Sequence, residues 1–296
     1  MSFLLSGPTG SGKDHFARAF HSASSRSDKP FYVVNCAAIP ESLFESQLFG
    51  CRKGAYTGSD IDRAGILEAA QGGFVLLNEI TDAPLAVQAK LLQAIDEKTI
   101  WRVGESSPRK IDVWIAAATN RTDMLKLCDH GLFRRDLYFR LARLVVSIPA
   151  LCERLADIPE LTDHLVRRVS VDLGRRPISF TPEALKALAN HDWPGNVREL
   201  ENLIHSLTLT SEGANVGIEL IPKSMRRMGA TERRQRITRA ALRRMLIGHG
   251  WNVTWAAKAI GMSREHVHSL IRRYGLRRPA KNGLQPSVSQ LPRHGT

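Results

Sequence analysis

Short apolar runs alternate with amphipathic stretches along the first half of the chain. Such runs are typical of strands that a parallel sheet buries on both faces. The amphipathic stretches, including 42–49 and 85–95, repeat apolar residues at helical spacing and predict helices between the strands. Strands that alternate with helices predict βαβ units and hence an α/β fold. The predicted strands span residues 3–5, 31–34, 74–77, 113–118 and 144–148.

After residue 149 the pattern changes to helices alone, which predicts a small helical subdomain. Thr181 and Pro182 form a helix start, with threonine as the N-cap and proline at the first helical position. The predicted helices span 158–171, 182–191 and 197–210. The predicted segments are an α/β subdomain (1–149), a helical subdomain (150–222), a basic linker (223–234), an all-α domain (235–280) and a disordered tail (281–296).

Composition restricts the class of protein. The 296 residues are 43% hydrophobic and 24% charged, which is typical of a globular protein, and no apolar run is long enough to cross a membrane. The four cysteines are widely spaced, and the first residues do not resemble a signal peptide. We therefore expect reduced thiols and a cytoplasmic location.

The net charge of +13 is concentrated near the carboxyl end of the chain. Residues 223–281 hold 16 Lys and Arg against 2 acids, whereas residues 1–222 hold 25 basic and 27 acidic residues. A cationic segment beside a near-neutral body predicts contact with nucleic acid. A basic tail that is merely solvated is the alternative that charge alone leaves open.

A glycine-rich loop follows the first predicted strand and precedes a helical run. It consists of Gly7-Pro8-Thr9-Gly10-Ser11-Gly12-Lys13, the G-x-x-x-x-G-K pattern in its required strand–loop–helix context. The backbone N–H groups of such a loop, the helix N-terminus and the lysine bind the phosphates of a nucleotide such as ATP. Asp14 stands where a Ser or Thr hydroxyl usually contacts Mg²⁺. A glycine-rich turn with an incidental lysine is the alternative.

A second nucleotide element is predicted where an apolar strand ends in polar residues. In Phe74-Val75-Leu76-Leu77-Asn78-Glu79, Asn78 replaces the expected metal-binding aspartate. Glu79 can polarise the water that attacks ATP. We expect Asn78 and Glu79 to contact the Mg²⁺ that accompanies ATP, and we expect the asparagine to weaken that contact and the hydrolysis.

Further motifs occur in a fixed order along the chain. They are Asn35-Cys36-Ala37-Ala38, Glu45-Ser46-Gln47-Leu48-Phe49-Gly50, Gly54-Ala55-Tyr56-Thr57-Gly58-Ser59, Ala69-Ala70-Gln71-Gly72-Gly73, Phe133-Arg134-Arg135-Asp136-Leu137-Tyr138-Phe139-Arg140-Leu141 and Trp193-Pro194-Gly195-Asn196-Val197-Arg198-Glu199-Leu200. Together they resemble the motifs of sigma-54-dependent transcription activators, AAA+ ATPases also called bacterial enhancer-binding proteins. The likeness covers about residues 2–211 and is nearest to members that lack a receiver domain.

The resemblance implies an AAA+ fold, in which a parallel α/β sheet carries a helical lid, and it implies a role for each matching position. Lys13 and the loop at 7–12 would hold the phosphates, with Asp14 beside them. Glu79 would position water, and Asn35 would act as the switch that holds Glu79 when the site is idle.

The resemblance also implies sensors and arginine fingers. Asn120 matches the first nucleotide sensor and Arg198 the second. Arg134 and Arg140 match arginine fingers, which act on the nucleotide of a neighbouring subunit. A homo- or hetero-oligomer, expected as a hexameric ring, follows from that role. An ordinary surface charge pair is the alternative for the two arginines.

The segment Gly54-Ala55-Tyr56-Thr57-Gly58-Ser59 matches the loop with which the family contacts the sigma-54 form of RNA polymerase. Tyr56 and Thr57 would stand at its tip. Taken without the resemblance, the segment is a hairpin or a flexible turn.

Two short helices near the carboxyl end predict a helix-turn-helix. They cover 252–261 and 264–274, and they resemble a Fis-type domain, which implies binding to double-stranded enhancer DNA. The residues predicted to face DNA are Arg264, His266, His268, Ser269, Arg272 and Arg273. A helical dimerisation module is the alternative.

These features predict a transcription regulator that binds enhancer DNA and uses ATP to remodel sigma-54 RNA polymerase for open-complex formation. The chain begins almost at the first strand, so either the start codon lies further upstream or this is a truncated or degenerate copy. That start and Asn78 favour a second hypothesis, a regulator or assembly subunit of the same fold that hydrolyses ATP weakly or not at all. A third, a Fis-type repressor without a sigma-54 role, is disfavoured by the loop at 54–59.

Overall fold

The structure, a computed structural model, describes residues 1–55, 59–121, 123–211, 214–226, 239–260 and 264–276. The chain divides into two compact units, Met1–Met225 and Arg226–Thr296. The division falls inside the predicted linker. The finer boundaries given above remain predictions.

The described strands all lie in the first unit. They are β1 (Ser2–Ser6), β2 (Phe31–Asn35), β3 (Gly50–Cys51), β4 (Arg63–Ala64), β5 (Phe74–Asn78), β6 (Thr99–Ile100), β7 (Arg109–Lys110), β8 (Trp114–Thr119), β9 (Val145–Ser147), β10 (Ser179–Phe180) and β11 (Asn215–Val216).

The described α-helices are spread over both units. Those of the first unit are α1 (Lys13–Ser22), α2 (Glu41–Phe49), α3 (Ile66–Ala69), α4 (Leu85–Glu97), α5 (Met124–Asp129), α6 (Arg135–Leu141), α7 (Ile158–Leu173), α8 (Pro182–Ala189) and α9 (Asn196–Thr210), and α10 (Lys223–Arg226) ends at the first residue of the second unit. Those of the second are α11 (Arg239–Gly248), α12 (Val253–Ile260) and α13 (Arg264–Arg273).

Five strands form one parallel sheet in the order β2-β5-β8-β1-β9. The interior strand β5 is apolar without alternation, and Phe74–Leu77 are 0% exposed because helices cover both faces of the sheet. The predicted α/β fold with a parallel sheet is therefore confirmed. All five strands end at the same edge, so polar residues that follow them in sequence are brought together there.

Each face of the sheet carries its own apolar core. On one face α1 packs against β1 and β5, where Phe20 lies 5.0 Å from Phe3 and Phe31 lies 5.3 Å from Phe74 between ring centroids. On the other face the helices α2, α4 and α6 contribute to a larger cluster that includes Leu91. Full burial of one such side chain contributes ~1.5–3 kcal/mol, so the two layers fix the position of the loop between β1 and α1.

The helices α7, α8 and α9 pack around a separate apolar cluster that forms the helical lid. Trp193 lies at its centre, 1% exposed, and its Nε1 donates to the carbonyl of Leu188 at 2.9 Å. The helix α8 begins as predicted, because the hydroxyl of Thr181 accepts from the N–H of Ala184 and Pro182 occupies the first position. The predicted helical lid is thus confirmed.

The second unit has a small apolar core of its own. Residues on three helices build it: Leu242 and Leu246 on α11, Ala256 and Ala257 on α12, and Val267 and Leu270 on α13. The helices α12 and α13 match the predicted pair closely, whereas the turn at 261–263, the linker from 227 and the tail from 277 lie outside the described residues. Among the described helices none is long and apolar enough to cross a membrane.

Candidate nucleotide-binding site

The glycine-rich loop at 7–12 connects the end of β1 to the start of α1. Gly10 has φ +75° and Gly12 has φ +100°, a left-handed backbone that side-chain-bearing residues rarely adopt. A Cβ added to Gly10 would stand 2.4 Å from the carbonyl oxygen of Gly195, so the lid contacts the loop directly at this glycine. The loop is therefore shaped by two glycines for tight turning and close contact.

Lys13 is the first residue of α1, and its side chain curls back along the loop. The ammonium donates to the carbonyl oxygens of Gly7 at 2.9 Å and Pro8 at 3.3 Å, and the residue is 7% exposed. Burial lowers the pKa of Lys13, the carboxylates of Glu79 and Asp14 oppose that change, and Arg198 adds to it. Two acids thus help to keep a buried cation charged beside the loop.

Polar residues meet at the carboxyl edge of the sheet. Asn35 at the end of β2 is in register with Asn78 at the end of β5. Glu79 follows with φ +49°, and its Oε2 accepts from the N–H of Asn120 at 3.3 Å. The amide of Asn120 donates to the hydroxyl of Thr9 at 3.0 Å, which links the sensor candidate to the glycine-rich loop.

Within the described residues, no hydrogen bond joins the side chain of Asn35 to Glu79. Its Oδ1 accepts from the N–H of Ala37 at 3.2 Å and caps the short helix that follows β2. Asn35 and Glu79 nevertheless line the same cavity. The role of Asn35 as a switch remains a prediction.

Asn78 contacts Asp14 across the site. The Nδ2 atom of Asn78 donates to both carboxylate oxygens of Asp14, each at 2.9 Å. The Oδ1 atom of Asn78 is buried and has no hydrogen-bond partner within the described part of the chain. The group that Asn78 presents to Asp14 is therefore a donor and not a metal ligand.

A cavity of about 360 Å³ brings most of these side chains together. Its lining comes from the loop, the sheet edge and the lid: Thr9, Gly10, Gly12, Lys13, Asp14, His15, Val33, Asn35, Asn78, Glu79, Val197, Arg198 and Glu201. Arg198 of the lid thus lines the same cavity as Lys13 and Glu79, and its role as a second sensor remains a prediction. A cation-lined cleft at a helix N-terminus can hold a polyphosphate.

An apolar cavity of about 350 Å³ lies on the other side of the loop. The helices α1 and α7 supply Phe16, Ala19, Leu161 and Leu165, and Ile148 follows β9. Its size and lining suit a planar aromatic ring system. These residues were not predicted as site residues from the sequence. Their spacing at 16 and 19 in α1, and at 161 and 165 in α7, nevertheless gives each helix an apolar face.

Asn196 was also missed, and it joins the lid to the loop. It is 3% exposed and has φ +54°, a strained backbone for a non-glycine residue. Its Oδ1 accepts from the N–H of Leu151 at 2.8 Å, and its Nδ2 donates to the carbonyl of Thr9 at 3.0 Å. The N–H of Val197 donates to Gly10 at 2.9 Å, so the start of α9 is fixed against the loop.

The two predicted arginine fingers lie apart from the cavity of their own chain. Arg134 binds Asp136 with two hydrogen bonds, of 3.1 and 2.7 Å, and this contact raises the pKa of Arg134. Arg140 pairs with Asp96. Neither arginine lines the 360 Å³ cavity.

The predicted polymerase-contacting loop is described at its base. The N–H of Gly54 donates to the carbonyl of Ser59 at 2.7 Å, and the hydroxyl of Ser59 donates to the carbonyl of Arg52 at 2.6 Å. Tyr56, Thr57 and Gly58 lie outside the described residues. The base of the segment is therefore closed by hydrogen bonds.

The helix α13 presents most of the predicted DNA-contacting residues to solvent. Val267 and Leu270 are buried on the opposite side of the helix. The exposed residues are Arg264, His268, Ser269 and Arg272, while the side chains of His266 and Arg273 lie outside the described residues.

Comparison with known proteins gives consistent matches along the chain. Residues 1–147 match the family model of the sigma-54 interaction domain, and residues 152–238 match that of an AAA+ ATPase lid domain. The transcriptional regulatory protein ZraR of Salmonella typhi is 38% identical over 91% of this chain, and GlrR of Escherichia coli K12 is 38% identical over 93%. The chain spans 63% of the length of each.

A solved structure agrees with these matches. NtrX from Brucella abortus in complex with ADP is 30% identical, with a TM-score of 0.68 over 93% of this chain and 65% of that chain.

Proposed function

Because the chain belongs to the sigma-54-dependent transcription regulators, we propose that it binds ATP and uses its hydrolysis to remodel sigma-54 RNA polymerase for open-complex formation. The observation that carries the proposal is the cavity that unites Lys13, Glu79 and Arg198 at the glycine-rich loop. NtrX, a relative by structure, has been solved with ADP and with ATP. The cytoplasm is the location that this role requires.

The phosphates and the adenine of the nucleotide are assigned to different cavities. The phosphates occupy the 360 Å³ cavity, where the loop N–H groups and Lys13 balance their charge. The adenine occupies the apolar 350 Å³ cavity, against Phe16, Ile148 and Leu165. The start of α9 in the lid is hydrogen-bonded to the phosphate-binding loop, through Asn196 to Thr9 and through the next residue to Gly10. The position of the lid would therefore depend on the loop that holds the phosphates.

Glu79 is the base that orients the attacking water. Its carboxylate is held by the N–H of Asn120, so the predicted first sensor is in direct contact with the predicted base. Arg198 contributes positive charge from the lid, where charge develops on the phosphates in the transition state. Asn35 lines the same cavity as Glu79, which supports its proposed role as the switch.

The residues at this site do not fit a magnesium ion held firmly by the protein. Magnesium prefers anionic oxygen ligands, and Asn78 presents its NH₂ group to Asp14 while its own oxygen is buried. Magnesium as a cofactor of the nucleotide remains a prediction.

Because position 78 carries an amide in place of a carboxylate, we expect slow ATP hydrolysis by the wild-type protein. Asn78→Asp would supply a second carboxylate for a divalent cation, and we expect turnover to rise by up to ~10²-fold, equivalent to about 2.7 kcal/mol of barrier. Steady-state ATPase measurements check this, with Asn215→Asp, an exposed asparagine of the lid, as the matched control. Wild-type turnover equal to that of Asn78→Asp would remove the main support for the second candidate function, a regulator or assembly subunit that does not hydrolyse ATP.

The arginine fingers fit an assembly better than a single chain. Arg134 and Arg140 lie away from the cavity of their own chain and pair with Asp136 and Asp96. We propose that in a ring they reach the nucleotide of the neighbouring subunit, which makes hydrolysis depend on assembly. The loop at 54–59 would contact sigma-54, and a hydrogen bond from Gly54 to Ser59 closes its base.

The second unit is proposed to bind enhancer DNA through α13. We expect the affinity of the full chain for duplex DNA to fall by ~10³-fold or more between 50 and 200 mM salt, because six or more phosphate contacts would each release counterions. Fluorescence anisotropy titrations measure this. Arg272→Ala should lower the salt slope by about one unit, whereas Arg175→Ala, an exposed arginine of the lid, should leave it unchanged. Affinity that is indifferent to salt would contradict the assignment.

A further inference from the structure

The pair formed by Asp14 and Asn78 distinguishes this nucleotide site. A carboxylate only accepts hydrogen bonds, so the amide of Asn78 must face Asp14 with its NH₂ group, as the two 2.9 Å contacts show. The opposite oxygen of the amide is buried and has no partner within the described residues. The orientation of Asn78 is therefore set by Asp14.

The NH₂ group takes the place at Asp14 that a cation would otherwise occupy. With Asn78 in place, the cavity is lined by three acids, Asp14, Glu79 and Glu201, and by the cations Lys13 and Arg198. An aspartate at position 78 would set a second carboxylate directly against Asp14. Two such groups repel each other and the phosphates unless a cation lies between them.

We propose that this site binds adenine nucleotide free of magnesium about as well as it binds the magnesium complex. Asn78 is the residue that makes magnesium unnecessary, because its NH₂ group donates to the carboxylate of Asp14 in place of a metal ion. The inference rests on the proposed nucleotide site and deepens it by naming the form of nucleotide that the site accepts. Phosphate contacts then come from Lys13, Arg198 and the loop N–H groups, without a metal ion.

The test is calorimetric titration of the full 296-residue chain with ADP, in EDTA and in excess Mg²⁺. The wild-type dissociation constant should differ by less than about threefold between the two buffers. Asn78→Asp should bind ADP at least about tenfold more weakly in EDTA, or about 1.4 kcal/mol, and should recover in Mg²⁺. Titration with MgCl₂ alone should give heat for Asn78→Asp and none for the wild type.

A second variant keeps the result independent of folding defects. Asp14→Asn removes the carboxylate that a cation would balance, so it should remain indifferent to Mg²⁺, and thermal unfolding should confirm that all variants are folded. A wild-type protein that needs Mg²⁺ as strongly as Asn78→Asp would overturn the inference and leave the nucleotide site intact. A folded wild-type protein that binds no ADP in either buffer would overturn the nucleotide site and, with it, the inference.

Discussion

Lys13→Ala is expected to weaken ADP binding by ~10²-fold or more, because truncating one partner of a buried, hydrogen-bonded charge pair typically costs about 2–5 kcal/mol. The side chain is 7% exposed and already directed along the loop by its bonds to Gly7 and Pro8. Little conformational entropy remains to be lost when phosphate binds. The neighbouring acids Glu79 and Asp14 oppose the effect of burial on the pKa of Lys13, which favours the charged form that phosphate requires.

Calorimetric titration with ADP measures the effect of Lys13→Ala. Lys29→Ala is the matched control, because Lys29 is exposed and pairs with Asp28 far from the loop. Lys13→Ala also leaves two loop carbonyls without their donor, so thermal unfolding must show that the variant is folded at the titration temperature. Near-wild-type affinity in a folded Lys13→Ala protein would mean that the loop does not bind phosphate.

Thr57→Ala is expected to abolish open-complex formation with sigma-54 RNA polymerase while ADP and DNA binding stay at wild-type levels. The proposed contact is at the loop tip, whereas Gly54 and Ser59 close the loop base by hydrogen bonds that the substitution does not touch. The described residues of the loop, Gly54, Ala55 and Ser59, do not line the nucleotide cavity. Loss of open-complex formation with retained ADP and DNA binding would therefore show that the variant binds both ligands but no longer acts on the polymerase.

The measurement is transcription from a sigma-54 promoter reconstituted with purified polymerase and ATP, alongside ADP and DNA titrations. Thr210→Ala is the matched threonine control, since Thr210 is exposed at the end of α9 and bonds only to carbonyl oxygens of its own helix. Normal activation by Thr57→Ala would show that the loop at 54–59 is not the polymerase contact. Loss of ADP binding would point to a folding defect.

The local features of the nucleotide loop followed from the sequence. Four successive apolar residues, Phe74–Leu77, predicted a strand buried on both faces, and all four are 0% exposed in β5. The glycine-rich pattern predicted a phosphate-binding loop between a strand and a helix, and residues 7–12 connect β1 to α1. These features depend on side-chain polarity and on local backbone conformation, which a sequence displays directly.

Only the tertiary structure decided how distant residues combine. Asn196 contacts Thr9 because α9 packs on the loop, and the apolar cavity exists because α7 lies beside α1, so neither could be inferred from a local pattern. Asp14 and Asn78 are both visible in the sequence as departures from common motifs, but 64 positions separate them. Their hydrogen bond depends on the strand order β2-β5-β8-β1, which brings the start of α1 to the end of β5. The sequence by itself therefore determined the elements and the phosphate-binding loop. The packing of those elements determined which group faces Asp14. Hydrogen bonds act only at short distances, and strand order and helix packing set those distances.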